Sequence, residues 1–261
     1  MSLLSVKNMT QRFGGVLAIS DVSLTIEKGQ KVGIIGPNGA GKTTFFNCLT
    51  GFYVPTEGSI EYKDADGKII QLQKQRVDKI TALGFARTFQ NIRLFKEQSL
   101  LDNIKIAMDY NTKYSHFDAV FRTKNYYREE RIIHEKAHQY LDITDLSEKA
   151  EWMAGSLSYG DQRRLEIARA LATGAKTLFL DEPAAGMNPQ ETADLISFID
   201  LIHEKFDLTI VLIEHDMNLV MTVCDHIYVL NYGQLIASGN PAEIKENPLV
   251  IEAYLGTGDD A

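Results

Sequence analysis

Cysteine is scarce in this chain, with two in 261 residues, Cys48 and Cys224. Both sit inside apolar patterns, which excludes a disulfide framework and predicts reduced core thiols in an intracellular protein. Proline is sparse at 6 and tryptophan occurs once, so neither a collagen-like nor a proline-rich disordered chain fits. Long apolar runs are missing. The longest that matters, Leu208-Thr209-Ile210-Val211-Leu212-Ile213, is far short of a membrane span. Met1-Ser2-Leu3-Leu4-Ser5-Val6-Lys7 contains no basic region leading into an apolar stretch, so no signal peptide is expected. Positive charge is in the minority, with 27 basic against 35 acidic side chains and a net charge of −8. That balance argues against wrapping nucleic acid as a main task.

The residues that are present describe an ordinary soluble globular chain, 44% hydrophobic and 24% charged. Its length suits one domain, or one with an appendage, and a sizeable core. Leu3 to Val6, Val22 to Ile26, and Ile60 with Tyr62 read as short antiparallel strands, and Asp66-Gly67 as a hairpin turn. Val32-Gly33-Ile34-Ile35, Thr177-Leu178-Phe179-Leu180 and Thr209 to Ile213 are almost wholly apolar. Each precedes a helical pattern, so they read as buried strands of a parallel α/β sheet. From about Leu100 to Glu151 the pattern turns helical without strands, with Ile104, Ala107, Ile133, Ala137 and Leu141 at helical spacing. The expected organisation is therefore a single domain over 1–261. It has a β-subdomain (1–30 and 57–72), a core (31–56, 73–99 and 152–261) and an inserted helical subdomain (100–151).

Gly36-Pro37-Asn38-Gly39-Ala40-Gly41-Lys42-Thr43 fits the phosphate-loop pattern G-x-x-x-x-G-K-[ST]. It follows the strand Val32 to Ile35 and opens a helix at Thr44. Glycines let successive backbone N–H groups converge on an anion, and the helix end adds a favourable dipole. Lys42 can reach the outer phosphates and the Thr43 hydroxyl can ligate Mg²⁺. Asp181 and Glu182 end a buried strand, where parallel sheets collect ligands. Asp181 suits Mg²⁺, and Glu182 suits orienting and deprotonating an attacking water. His215, after the strand ending at Ile213, is placed to touch the terminal phosphate and that water. Gln90 is a candidate ligand of Mg²⁺ or water. Ser158, in Leu157-Ser158-Tyr159-Gly160-Asp161-Gln162, is a good N-cap and offers a second phosphate site. Leu165, Ala168, Leu171 and Ala172 mark the buried face of the helix it starts, with Arg163, Arg164 and Arg169 placed elsewhere. Two phosphate sites raise a question: both serve one nucleotide, or one serves a neighbour's.

Together these motifs resemble the ATP-binding subunit of ABC transporters over essentially the whole chain. The resemblance implies an ABC-type P-loop α/β core with an N-terminal antiparallel β-subdomain and an inserted α-helical subdomain, an ATPase activity, and ATP with Mg²⁺ as cofactors. It puts Phe13 where the family stacks an aromatic on adenine. It also answers the question above by analogy: Ser158 and Gly160, with Tyr159, Asp161 and Gln162 around them, contact ATP held by a partner subunit. The stretches Gly84 to Phe95, Leu157 to Arg169, Asp181 to Pro189 and Val250 to Gly256 look like the branched-chain amino acid uptake group, and the long helical block like its larger ATPase subunit. The implied partners are a second ATPase subunit (this chain or a shorter relative), transmembrane permease subunits and, indirectly, a solute-binding protein. The implied location is the cytoplasmic face of a prokaryotic membrane. Tyr159 stands where the general signature has glycine, Asp161 where glutamine or glutamate is commoner, and Asn188 where aspartate is usual.

Two other readings stand beside this one. An ATPase for another small solute, such as urea, is close in sequence. A soluble ABC ATPase acting on nucleic acid or ribosomes usually carries a long coiled-coil insertion or two cassettes. Here Lys42 and Ser158 lie 116 positions apart, room for a small helical subdomain only. Lys113 to Arg131 interleaves basic and aromatic residues, but Asp118, Glu129 and Glu130 dilute it; an amphipathic helix pair is the expected reading, ahead of contact with a membrane partner or its lipid surface and, last, of nucleic acid.

Overall fold

A computed structural model describes residues 2–108 and 115–255. The chain begins with β1 (Ser2–Phe13) and β2 (Val16–Glu27), joined through Gly14-Gly15. The sequence suggests shorter, separate strands here. They merge because the polar interruptions fall at register shifts, where Asn8 and Asp21 adopt left-handed φ values of 48° and 54°. There the Asn8 amide donates to the Asp21 carboxylate at 2.8 Å, so the hairpin bends without breaking.

Next come β3 (Lys31–Ile35), α1 (Lys42–Leu49), β4 (Glu57–Lys63) and β5 (Ile69–Gln71). The β4–β5 turn is held by the Asp64 carboxylate, which accepts from the N–H groups of Asp66 and Lys68. Strands order as β2-β1-β4-β5 in one antiparallel sheet. Its apolar face, including Leu4, Val6 and Ile60, packs with Phe45 and Phe46 of α1 in a shared core. Burying two phenylalanines contributes about 3–6 kcal/mol of transfer free energy.

The remaining elements are α2 (Val77–Ala82), β6 (Phe85–Arg87), α3 (Leu100–Met108), α4 (His116–Phe121), α5 (Lys124–Ile143), α6 (Tyr159–Ala172), β7 (Thr177–Asp181), α7 (Pro189–Phe206), β8 (Thr209–Ile213), α8 (Met217–Val223), β9 (His226–Asn231), β10 (Gln234–Gly239), α9 (Pro241–Lys245) and α10 (Pro248–Leu255). The second sheet orders as β10-β9-β3-β8-β7-β6. It is parallel from β9 to β6, and β10 joins antiparallel. Tyr232 and Gly233 form the two-residue β9–β10 turn, both at positive φ. Every residue of β7 and β8 is buried, as their apolar runs require of strands covered on both faces.

Register decides where the chemistry sits. Ile34 pairs with Ile213, and Asp181 with the same Ile213. The carboxyl ends of β3, β8 and β7 therefore meet at one edge of the sheet. Off to one side, α3, α5 and α6 close a separate core through Leu100, Ile104, Ala137, Leu141, Leu165 and Ala168. One expectation for α6 fails. Arg163 is fully buried rather than off the packed face, because Glu166 supplies a counter-charge at 2.7 Å and two loop carbonyls accept from its terminal nitrogens, while its Nε finds no partner. Both cysteines are buried and unpaired, and burial pushes each thiol up to about 12. Of the basic and aromatic segment, Lys113 and Tyr114 lie outside the described residues, as does Gly256 of the closing stretch. Among the described residues, no helix is long and apolar enough to cross a membrane.

Candidate functional site

The loop between β3 and α1 wraps a hollow of about 440 Å³ whose lining includes Asn38, Lys42, Thr43, Thr44, Glu182 and Tyr232. Two of its glycines are obligatory. At Gly36 (φ 152°) an added Cβ would lie 2.0 Å from the Leu230 carbonyl oxygen, and at Gly41 (φ 96°) it would lie 2.6 Å from that of Ala18. Gly41 also sits where α1 needs an N-cap, and no side chain caps the helix, so its first amides stay available to an anion. Lys42 is buried and turns back on its own loop, donating to the carbonyls of Gly36 at 2.7 Å and Pro37 at 3.0 Å. Burial lowers its pKa and the Glu182 carboxylate opposes that shift. The ammonium stands in the cradle with neutral carbonyls for partners, poised to exchange them for phosphate oxygens.

Glu182 follows β7 with φ 44°, a left-handed conformation that costs a non-glycine residue on the order of 1–3 kcal/mol. Its N–H donates to the Ile213 carbonyl at 2.9 Å and its carboxylate accepts from the Gln90 amide at 2.9 Å. His215 Nδ1 lies 3.9 Å from the same carboxylate, close but beyond hydrogen-bond length, and its side chain is 61% exposed. Glu182, Gln90 and His215 thus come together from three elements.

Sequence reasoning missed the group that organises this corner. The Glu214 carboxylate is fully buried and accepts from the N–H groups of Ala184, His215 and Asp216 at 2.8, 3.0 and 3.3 Å. One acid ties the turn after β7 to the turn after β8, and so sets where Glu182 and His215 point. Its place after an apolar strand was visible in the sequence; its inward direction was not.

Asp181 is buried, and its Oδ2 accepts from Arg87 at 2.7 Å. Arg87 was also missed. Thr43, Asp181 and Gln90 offer a hydroxyl, a carboxylate and an amide oxygen, hard donors of the type Mg²⁺ takes. Among the described residues, no group of three or more His, Cys, Asp or Glu is arranged to hold a metal ion. A single carboxylate with oxygen partners fits a cation held largely by substrate phosphate and water, so the residues present suit Mg²⁺.

The second phosphate candidate is built differently. Ser158 caps α6, its hydroxyl accepting from the Asp161 N–H at 3.2 Å. Asp161 itself is held by Lys149 at 2.9 Å and Arg164 at 2.5 Å. Burial pushes its carboxyl up, but hydrogen bonds and charge from those two bases outweigh that and leave it below the usual range. Gln162 turns inward, its amide donating to the Leu157 carbonyl at 2.9 Å. Tyr159 is exposed, and its ring lies beneath the Arg163 guanidinium. Ser158 and Gly160 face α7 across a separate small hollow, and none of residues 158–162 lines the hollow around Lys42. Asn188, the departure noted above, caps α7 through its side-chain oxygen and forms a capping box with Glu191. Phe13 is absent from the lining of the Lys42 hollow. It packs edge-on against Tyr53, while its register partner Val16 lines that hollow along with Leu17 and Ala18.

A third feature lies between the core and the helices. A cavity of about 260 Å³ is lined by Phe52, Phe85, Arg87, Phe89, Ala107 and Arg169, among others. Exposed Phe95 lies nearby in the chain, with the Arg169 guanidinium over its ring.

Comparison with known proteins agrees with this arrangement. A family model described as "ABC transporter" matches residues 19–185. A second, "Branched-chain amino acid ATP-binding cassette transporter", matches residues 234–260. The chain is 48% identical to the high-affinity branched-chain amino acid transport ATP-binding protein BraF of Pseudomonas aeruginosa, over 97% of this chain and 98% of that protein. It is 45% identical to the corresponding LivG protein of Escherichia coli, with the same shares covered. Among solved structures, an ATP-binding cassette of an ABC transporter in its ADP conformation superposes with a TM-score of 0.83 at 33% identity, covering 98% of this chain and 99% of that one. A nucleotide-free cassette from an ABC transporter gives 0.81 at 34%, covering 97% and 99%.

Proposed function

The chain belongs to the ABC transporter family, among its ATP-binding subunits, and from that premise we propose that it is the ATP-hydrolysing motor of a membrane importer for branched-chain amino acids. The carrying observation is the near-full-length identity to BraF and LivG together with an intact Lys42, Asp181 and Glu182 at one sheet edge. As an ABC ATPase it binds nucleotide and works with membrane permease subunits.

The chemistry follows from what the residues can do. Lys42 and the uncapped start of α1 hold the phosphates. Thr43, Asp181 and Gln90 hold Mg²⁺, which when bound supplies positive charge against the phosphate oxygens. Glu182, aligned by Gln90 and by its strained backbone, orients the attacking water and takes its proton. His215 braces that water and the terminal phosphate. Phe13 supports the base end of the nucleotide.

Ser158 to Gln162 complete the site of a partner subunit: in their own chain none of them lines the Lys42 hollow, and Ser158, Gly160 and Asp161 line a different one. The nucleotide then bridges two subunits, this chain with a copy of itself or with a shorter relative, and loss of the γ-phosphate releases them. The groove near Gln90 and Leu94-Phe95 receives a cytoplasmic helix of the permease. A solute-binding protein delivers cargo from the other side, and the subunit sits on the inner face of a prokaryotic membrane.

The test is uptake of labelled leucine, with labelled urea in parallel, in cells where Glu182→Gln replaces the wild type. Loss of leucine uptake alone is expected. Loss of urea uptake with leucine unchanged would overturn the cargo, and loss of neither would overturn the transport role.

A further inference from the structure

Arg87 touches the nucleotide helix, the acidic strand and the cavity beneath the helical subdomain. Its Nη2 donates to Asp181 Oδ2 at 2.7 Å, while Nη1 donates to Asn47 Oδ1 at 2.7 Å and Thr50 Oγ1 at 2.9 Å. The side chain is 8% exposed, and the rings of Phe46, Phe52 and Phe89 stand 5.2–5.3 Å from its guanidinium carbon. Its Nε is buried and finds no partner. A buried cation that leaves one donor unpaired while keeping three hydrogen bonds is held where it is by geometry, not by the need to satisfy itself.

We infer that Arg87 is a positioning residue for the metal-facing carboxylate: it fixes Oδ2 of Asp181 to α1, so that Asp181 offers a cation one oxygen only. The inference rests on the reading of Asp181 as the Mg²⁺ carboxylate. Partners of this kind, one contact behind the ligand, set ligand orientation and tune the metal. A carboxylate restricted to one oxygen suits Mg²⁺, which demands regular octahedral geometry. Released to rotate, it can offer both oxygens, as Ca²⁺ accepts in its larger and looser shells. Arg87 therefore sets which divalent ion the site prefers. Because a rigid fork does the holding, lysine is not an equivalent replacement.

The experiment measures nucleotide binding without turnover, in a Glu182→Gln background, as a function of Mg²⁺ and separately of Ca²⁺. Arg87→Met is expected to shift the preference for Mg²⁺ over Ca²⁺ by about tenfold toward Ca²⁺, the scale found when such supporting contacts are lost. Arg87→Lys should shift it less. If Arg87→Met does not fold, Asn47→Ala carries the test, since it leaves both charges in place and loosens the anchor; a smaller shift in the same direction is expected. An unchanged preference in the variant that binds nucleotide would overturn the inference and leave Arg87 a structural ion pair. Asp181→Asn in the same assay separates the two levels. If it leaves the Mg²⁺ requirement intact, the reading of Asp181 itself is wrong; if it removes the requirement while Arg87→Met changes nothing, only the role of Arg87 is.

Discussion

The two helix starts proposed to meet phosphate, those of α1 and α6, are built in opposite ways. The start of α1 is uncapped, anchored by glycines that permit no Cβ, and filled by a buried lysine resting on its own loop carbonyls. The start of α6 is capped by Ser158, lies exposed, and is steadied by ion pairs one turn inside: Asp161 with Lys149 and Arg164, and Arg163 with Glu166. The first is a finished cradle. The second is a presented edge, whose supports hold it beside a small hollow against α7 and away from the Lys42 cradle. On the proposed function, that difference corresponds to one complete phosphate grip and half of another in each chain.

The comparison can be broken most severely on the cradle side. Glu182→Gln is expected to reduce phosphate release by about 10²–10⁴-fold, the usual worth of a general base. It should retain MgATP binding and nucleotide-driven pairing by sedimentation; near-normal turnover would remove Glu182 from the base role. Next in size is the support of the presented edge. Glu166→Ala strands the fully buried Arg163 and is expected to cost about 3–5 kcal/mol in urea unfolding. Since Glu166 also accepts from the Arg93 N–H at 2.9 Å, the loop carrying Gln90 should loosen with it, seen as faster amide exchange over 88–95.

Ser158→Ala sharpens the contrast with a smaller loss, about 1 kcal/mol for a missing cap. Nucleotide binding by the isolated chain should be unchanged while ATP-driven pairing weakens. Smallest is the effect at Asp118, far out on α4. Hydrogen bonds from Thr123 and Ser115 hold its carboxyl at about 2, below an ordinary value of 3.8. The folded state therefore binds this proton less readily than the unfolded chain. The associated stability is present above pH 3.8 and lost as pH falls through about 2. Asp118→Asn should flatten that part of the acid limb in a pH series of thermal melts.

The cradle was legible in the sequence because backbone geometry dictates residue type: a strand, a loop that tolerates no Cβ at Gly36 and Gly41, then a helix. The apolar strands were legible for the same local reason. The supports were not. Arg87 meets Asp181 across 94 positions and Arg163 meets the Gln90 carbonyl across 73, and no local pattern encodes pairs so distant. The pattern places Arg163 off the buried face because helical periodicity assigns arginine outward, and the distant carbonyls of Phe89 and Gln90, with Glu166 one turn along the same helix, reverse that. The long N-terminal hairpin was underread because its polar breaks at Asn8 and Asp21 look like ends, when they are bends.

The claim that the nucleotide is shared between two chains is tested most directly by mixing two variants that are each inactive. Lys42→Ala removes the cradle from one chain and Ser158→Arg blocks the presented edge of the other. A mixed pair retains one intact site, with Lys42 from the second chain and Ser158 from the first. Recovery of ATP hydrolysis on mixing is the predicted result. No recovery from chains that sediment together would contradict it, and would mean that each chain builds its site alone.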